Sequence, residues 1–381
     1  MDSDEGGDRA GMGGVLFVQP ALPNYRVDFF RRMHDALGND LQLVISSNGE
    51  TASIDFDATD TSWITTVPPV RTILKGVYWQ PELNKVAVGD ALIIVLSGNA
   101  RFLSTLFLAV RGKLHGCRLV WWSHYRSYSG NKLSQRFRLF ISRFFDHQVF
   151  YTQREVINFH RDYPRLARSS KTSWLGNGLN AEEIGNYRER YEPHKRLNRL
   201  AFVGRVTPKS NFALMIKAMI LSNEKYELDV IGASLADIDG ESRDLVTKTQ
   251  LRQRIRWHGP LTEEADIARV MNKCMLFVYP GDVGLSLIHG MTYGLPAILH
   301  DDDSSHMPEI AAFLERDSGF RFESDCEISL NKTIEFALAN PSLLEKISDD
   351  AVAVVEAGYN TNVMSKNFLR ILEQVRQQEE A

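Results

Sequence analysis

The sequence predicts an α/β protein built as two units of similar size, each a parallel sheet with right-handed crossovers. Three observations carry that prediction. Runs rich in Val, Ile and Leu recur between segments of helical period, and they are continuous rather than alternating, which suits strands covered on both faces. Two such series are separated by residues 176–198, a polar, charged stretch with few apolar anchors that reads as a linker. Finally, 381 residues at 44% hydrophobic and 24% charged is an ordinary globular composition, long enough for two or three domains.

The elements follow in order. Val15–Gln19 is a buried strand, Pro20 to Asn24 a loop, and Tyr25–Leu37 a helix closed by Gly38. Further strands are expected at Leu41–Ile45, Ala91–Leu96, Arg118–Trp122 and Gln148–Thr152. The second series is Leu200–Val203, Glu227–Ile231, Ile255–Trp257, Met275–Tyr279 and Ala297–Leu299, with a helix over Asn211–Ser222 among its crossovers. The expected organisation is a disordered lead-in at 1–14, a domain at 15–180, a linker at 181–197, a second domain at 198–357 and a C-terminal helix at 358–381. Met364, Phe368, Ile371 and Val375 recur in that helix at helical spacing.

Composition excludes several classes. The longest apolar runs, such as Ala91–Leu96, fall far short of the ~20 residues of a membrane span. Cys117, Cys274 and Cys326 share no short spacing, so neither a disulfide framework nor a structural zinc site is expected. The acidic, glycine-rich start has no apolar segment and is unlike a secretory signal, so a cytoplasmic location is expected.

The net charge of −4 hides an asymmetry: residues 91–145 hold nine Lys/Arg and no Asp or Glu. Phe137, Leu139, Phe140, Phe144 and Phe145 interleave with those cations. Cations beside large apolar groups suit an anionic membrane surface or a lipid-linked acceptor; aromatics in a core and cations solvating one helix face are the plainer alternative. No nucleic-acid partner is expected from an acidic chain without a recognised binding module.

In open parallel sheets ligands bind outside the carboxyl ends of the strands. The most informative stretch there is 280–296, PGDVGLSLIHGMTYGLP, which reads as a glycine-bearing loop, a helix, a Gly294 stop and a Pro. Gly281 and Gly284 let backbone approach a ligand. The amides from Asp282 and Val283 to the helix start at Leu285 suit an anion, and His289 lies one turn further on. No Walker loop and no G-x-G-x-x-G fingerprint is present.

The run GDVGLSLIHGMTYGLPAI over 281–298 resembles the Glu-x7-Glu segment, E-G-F-G-L-x-x-L-E-A-M-A-x-G-x-P-V-I, of the retaining glycosyltransferases of family 4. Gly281 and His289 stand at its two glutamate positions, a variant like that of bacterial surface-polysaccharide members. Residues 202–211, FVGRVTPKSN, resemble the family's G-R-L-x-P-x-K-G element, with Gly204 and Arg205 aligned and Lys209 one residue early.

The resemblance implies the GT-B fold, two Rossmann-like domains facing across a cleft. It implies a metal-independent, retaining hexosyl transfer from a nucleotide-sugar, a UDP-sugar favoured over a GDP-sugar, with no cofactor beyond that co-substrate. A glycan or lipid-linked acceptor in polysaccharide or O-antigen assembly at the inner membrane face would receive the sugar.

By the same resemblance Arg205 and Lys209 neutralise the leaving diphosphate, where catalysis gains most. His124, just after the strand Arg118–Trp122, approaches the donor sugar, and His289 bonds the ribose. Glu309 lines the donor site or serves only as a helix-start acid. Asn24, Tyr25 and Arg26 face the acceptor, where Tyr25 and Arg26 suit a phosphate or serve only as a hydrophobic staple and a surface charge. The cluster His300-Asp-Asp-Asp-Ser-Ser-His306 offers metal-ligand types, but a catalytic metal is not expected there. A nucleotide-sugar epimerase, a phosphorylase, or an impaired sugar-nucleotide-binding partner protein are the alternatives.

Overall fold

The computed structural model describes residues 14–47, 62–126, 132–222, 225–315 and 318–377. Of the expected lead-in at 1–14, residues 1–13 lie outside the described residues and Gly14 opens the first strand. The chain divides into two compact units, one comprising residues up to Leu175 and again from Ser365, the other Gly176–Met364.

The first unit contains β1 Gly14–Gln19, β2 Leu41–Ser46, β3 Ile64–Val67, β4 Arg71–Leu74, β5 Val77–Trp79, β6 Ala91–Ser97, β7 Arg118–Trp122, β8 His147–Phe150 and β9 Lys171–Trp174. Seven of these form one sheet in the order β3-β2-β1-β6-β7-β8-β9, every neighbour parallel, and β4 and β5 pair antiparallel as a separate ribbon. The register puts Phe17 beside Val95 and Val95 beside Val120, so the central strands stack apolar residues on both faces. The helix Asn24–Leu37 buries Phe29, Phe30, Met33 and Leu37 and ends at Gly38, whose N–H donates to the His34 carbonyl.

Two differences from the sequence expectation have local causes. The strand expected to reach Thr152 stops at Phe150, because the Thr152 hydroxyl accepts the Glu155 N–H and opens the helix Gln153–Asp162. The strands β3 and β9 carry no apolar run; they are edge strands, which need less of one.

The second unit contains β10 Arg199–Val203, β11 Glu227–Ile231, β12 Ile255–Gly259, β13 Leu276–Tyr279, β14 Ala297–His300 and β15 Gly319–Phe322. Their order is β12-β11-β10-β13-β14-β15, again all parallel. Both sheets thus reverse their winding once, between β1 and β6 and between β10 and β13. Those switch points leave a crevice at the carboxyl ends of the strands, the place where such sheets take ligands.

The stretch expected as a linker at 181–197 contains the helix Ala181–Tyr187, and Ile184 and Tyr191 are buried in the second unit's core. The Tyr191 hydroxyl donates to the Met275 carbonyl and Arg196 donates to those of Met271 and Cys274. These few long-range anchors tie down a segment whose composition is otherwise that of a connector. The last helix, Thr361–Arg376, sets Phe368 against the rings of Phe17, Phe29 and Trp122. No helix among the described residues is long and apolar enough to cross a membrane.

Candidate active site

The switch point of the second unit brings together the two loops that the sequence singled out. After β10 comes Gly204, at a φ of 140° that disfavours any side chain, with its N–H donating to the Ile231 carbonyl at 2.8 Å. Arg205 and Lys209 on the following loop are exposed, and the turn carrying Lys209 is closed by Thr207 and Ser210 in a reciprocal cap. After β13 comes Gly281. A Cβ there would lie 2.0 Å from the Lys209 carbonyl oxygen, so backbone meets backbone, and the Asp282 N–H donates to that same oxygen at 2.8 Å.

The first glutamate position of the family segment therefore has no room for a side chain in this protein. The Val283 N–H is also engaged: it donates to Nδ1 of His306 at 3.1 Å. An anion at this loop must use the later amides, from Gly284 into the helix Leu285–Thr292, whose N-terminus has no side-chain cap.

His306 and His300 are buried and stacked, ring centroids 3.9 Å apart. His306 Nδ1 accepts the Val283 N–H while Nε2 faces the His300 carbonyl at 3.2 Å, which fixes the ring as the neutral Nε2–H tautomer. Burial, with His300 alongside, lowers its pKa to about 4. The aspartates between them are also spent locally. Asp301 accepts the Ser324 N–H, Asp302 the Ser304 N–H and hydroxyl, and Asp303 pairs with Arg321 at 2.7 Å. What looks like metal-ligand chemistry in one dimension is a clamp on the glycine loop, and no grouping of three metal-ligating side chains occurs among the described residues.

His289 meets an acid that the sequence reading missed. Its Nε2 lies 3.0 Å from Oε1 of Glu264, which the helix Glu264–Met271 supplies, and the Tyr293 hydroxyl donates to the same oxygen. Burial opposes ionisation of Glu264, but the contacts from His289 and Tyr293 outweigh it and hold the carboxyl below its ordinary range. A carboxylate thus stands beside position 289 although the chain lacks one at that position.

Glu309 is buried, accepts from Asn177, and brings Oε2 to 3.7 Å from where a Gly284 Cβ would stand. It precedes the short helix Ile310–Glu315, where the Ala312 N–H donates to its carbonyl.

In the first unit His124 follows β7 and stacks on Tyr151 at 4.1 Å, its Nδ1 lying 3.4 Å from Oε1 of Glu155. Glu155 is buried and also accepts the N–H of Tyr125 at 3.4 Å and of Tyr151 at 3.0 Å, so one carboxylate holds three loop positions. Asn24 and Tyr25 are exposed at the first helix start, whereas Arg26 is only 8% exposed. The Arg26 guanidinium lies 5.1 Å from the Tyr25 ring, 5.8 Å from that of Trp122 and 6.0 Å from that of Tyr151.

Residues 183–353 match the family model of the glycosyl transferases group 1. The chain is similar in fold to a glycosyltransferase from Rickettsia africae, at 15% identity and TM-score 0.70 over 95% of this chain and 98% of that one. It is similar to HepE of Anabaena in complex with UDP and glucose, at 14% identity and TM-score 0.67 over 95% and 100%. Sucrose-phosphate synthase of Thermosynechococcus elongatus matches at 12% identity and TM-score 0.65 over 95% and 98%. No curated protein sequence matches the chain. The fold is the two-domain Rossmann-like GT-B fold of these structures, and the stretch that matches the group 1 model lies within the second unit. Together these findings support a GT-B glycosyltransferase.

Proposed function

We propose that this protein transfers a hexosyl group from a nucleoside-diphosphate sugar to an acceptor hydroxyl with retention at the anomeric carbon, without a metal. The observation that carries the reading is the meeting of the Arg205–Lys209 loop and the Gly281–Gly284 loop at the switch point of a group 1 domain. Arg205, Lys209 and the uncapped start of Leu285–Thr292 supply the positive field for a departing diphosphate. The bond from the anomeric carbon to the diphosphate breaks, the bond to the acceptor oxygen forms on the same face, and the acceptor proton passes to the diphosphate. His289, paired with Glu264, reaches the ribose, Glu309 takes a sugar hydroxyl, and His124 attends the donor sugar. UDP-sugars are favoured, a choice that the UDP-glucose complex of the similar HepE supports.

The acceptor in this reading is a lipid-linked glycan met at an anionic membrane face. Support comes from the helices Leu103–Leu114 and Lys132–Ser142, which pack on one side of the sheet: Leu108 and Ala109 of the first, Ile141 of the second and Phe145 just after it join the same cluster with Leu119 and Trp121. Outward, Leu103, Phe107, Val110 and Leu114 form an exposed stripe at helical spacing, and Phe137, Phe140 and Phe144 are exposed beside Arg136 and Arg143. Flotation on anionic but not zwitterionic vesicles, lost on replacing the three phenylalanines by serine, is expected; failure to float on either removes the membrane from the reading.

The deciding experiment is a thermal-shift panel of UDP, GDP, ADP, CMP and dTDP and their sugars without magnesium. A ligand at about 100 times its dissociation constant adds about 2.7 kcal/mol. A shift by one nucleotide, followed by sugar transfer to a glycan acceptor, supports the proposal. No shift from any overturns it. The bare Gly281 position favours one second reading, a sugar-nucleotide-binding partner protein, which would show the shift without transfer.

A further inference from the structure

A cavity of about 270 Å³ opens in the first unit at the carboxyl ends of β6, β7 and β8. Asn99, Arg101, Trp122, Ser123, His124 and Arg138 line it; no Asp or Glu is among the lining residues described, and the carboxylate beside it, Glu155, is engaged with His124 and the Tyr151 N–H. Arg138 is held in place by donating from Nη2 to the Tyr125 carbonyl at 2.8 Å. Trp122 is 4% exposed, yet its indole Nε1–H has no hydrogen-bond partner among the described residues, a cost a native protein seldom carries without reason. The guanidinium of Arg26 adds a third positive group, lying near the rings of Trp122 and Tyr151, both of which line the cavity. The lining is rich in donors and positive charge, with guanidinium forks that suit oxyanions in two-point contact.

We infer that this cavity binds a phosphoryl group, carried by the acceptor substrate. Phosphate binding at Arg138 and Arg101 stands by itself; only the assignment to the acceptor rests on the transfer reading above. The bound group would take the Trp122 N–H as a further donor and anchor the acceptor beside His124. A phosphoryl group of this kind comes from either of two sources, a soluble sugar phosphate or a lipid-linked diphosphate.

The test uses the indole N–H resonances of the six tryptophans in the full-length protein, with Trp122 assigned from Trp122→Phe. Inorganic pyrophosphate, glucose 1-phosphate and geranyl diphosphate are titrated into an Arg205→Gln background, which weakens the nucleotide-side cation pair. The expected result is a saturable shift of the Trp122 resonance, with affinity about tenfold weaker in Arg138→Gln and partly recovered in Arg138→Lys. Tightest binding of geranyl diphosphate supports the site with a lipid-linked source, and tightest binding of glucose 1-phosphate supports it with a soluble one. A Trp122 resonance unmoved by all three probes overturns the inference, as does equal affinity in Arg138→Gln. Should Arg138→Gln not fold, Arg101→Gln serves, since Arg101 is exposed. Nucleotide thermal shifts, read separately, tell a failure here from a failure of the transfer reading.

Discussion

Gly281 lies so close to the main chain of Lys209 that a Cβ at 281 would stand 2.0 Å from the Lys209 carbonyl oxygen. The two loops of the candidate donor site are therefore one piece of structure. The smallest side chain is enough to test this. Gly281→Ala is expected to cost about 2 kcal/mol or more, because the obstacle is backbone and cannot swing away. Urea denaturation measures the loss; an unchanged midpoint would show that the loops are less tightly joined. Gly281→Glu, which introduces the residue of the segment that this loop resembles, is expected to be worse for stability.

Arg205 is exposed, so its removal should leave the fold alone. Arg205→Ala is expected to lower kcat/KM by about 10²–10³-fold while changing stability by less than about 0.5 kcal/mol. Steady-state kinetics beside a melting curve checks both halves, and a full-rate Arg205→Ala enzyme would remove this cation from the chemistry.

Glu264→Gln keeps the size of the side chain and removes its charge. With the His289 and Tyr293 contacts weakened, the imidazole loses its anchor, and nucleotide affinity is expected to drop about tenfold by calorimetry. Equal affinity in the variant would mean that His289 is oriented by its own helix alone.

His306 sets a pH dependence. Its pKa falls from 6.5 to about 4 on folding, so the unfolded chain binds the proton more readily. Stability from this group is complete above about 6.5 and is lost as pH falls toward about 4, up to about 3 kcal/mol. A proton on Nδ1 would also place an N–H against that of Val283. The difference in unfolding free energy between wild type and His306→Gln, measured from pH 7 to 4, is expected to shrink by this amount. His147, likewise near 4, contributes equally to both proteins and cancels. A difference that stays flat with pH would place the His306 titration elsewhere.

Much of the fold can be read from the sequence because its central strands are buried on both faces: β7 and β11 run over the same residues as their apolar runs. The strands that escape, β9 with Lys-Thr-Ser-Trp and β15 with Gly-Phe-Arg-Phe, lie at sheet edges, where one neighbour suffices and polar residues are tolerated. The glycine loops are visible as motifs because backbone contact leaves few residue choices. Glu264 and Glu155 are invisible for the opposite reason. Each is a single acid whose partners, His289 and His124, sit 25 and 31 positions away, and only the fold joins them. His300 and His306 were conspicuous by type, but type does not distinguish a metal ligand from an imidazole that accepts a backbone N–H.

The return of the chain to the first unit at Ser365 has a consequence for the order of events during synthesis. Phe17, Phe29 and Trp122 leave the ribosome early, but Phe368, which packs on all three, emerges only after the whole second unit. At roughly 5–20 residues per second, that delay is on the order of 10–40 s. Throughout it the nascent first half shows a patch of aromatic surface to the cell, and the second half can finish folding before the half that was made first.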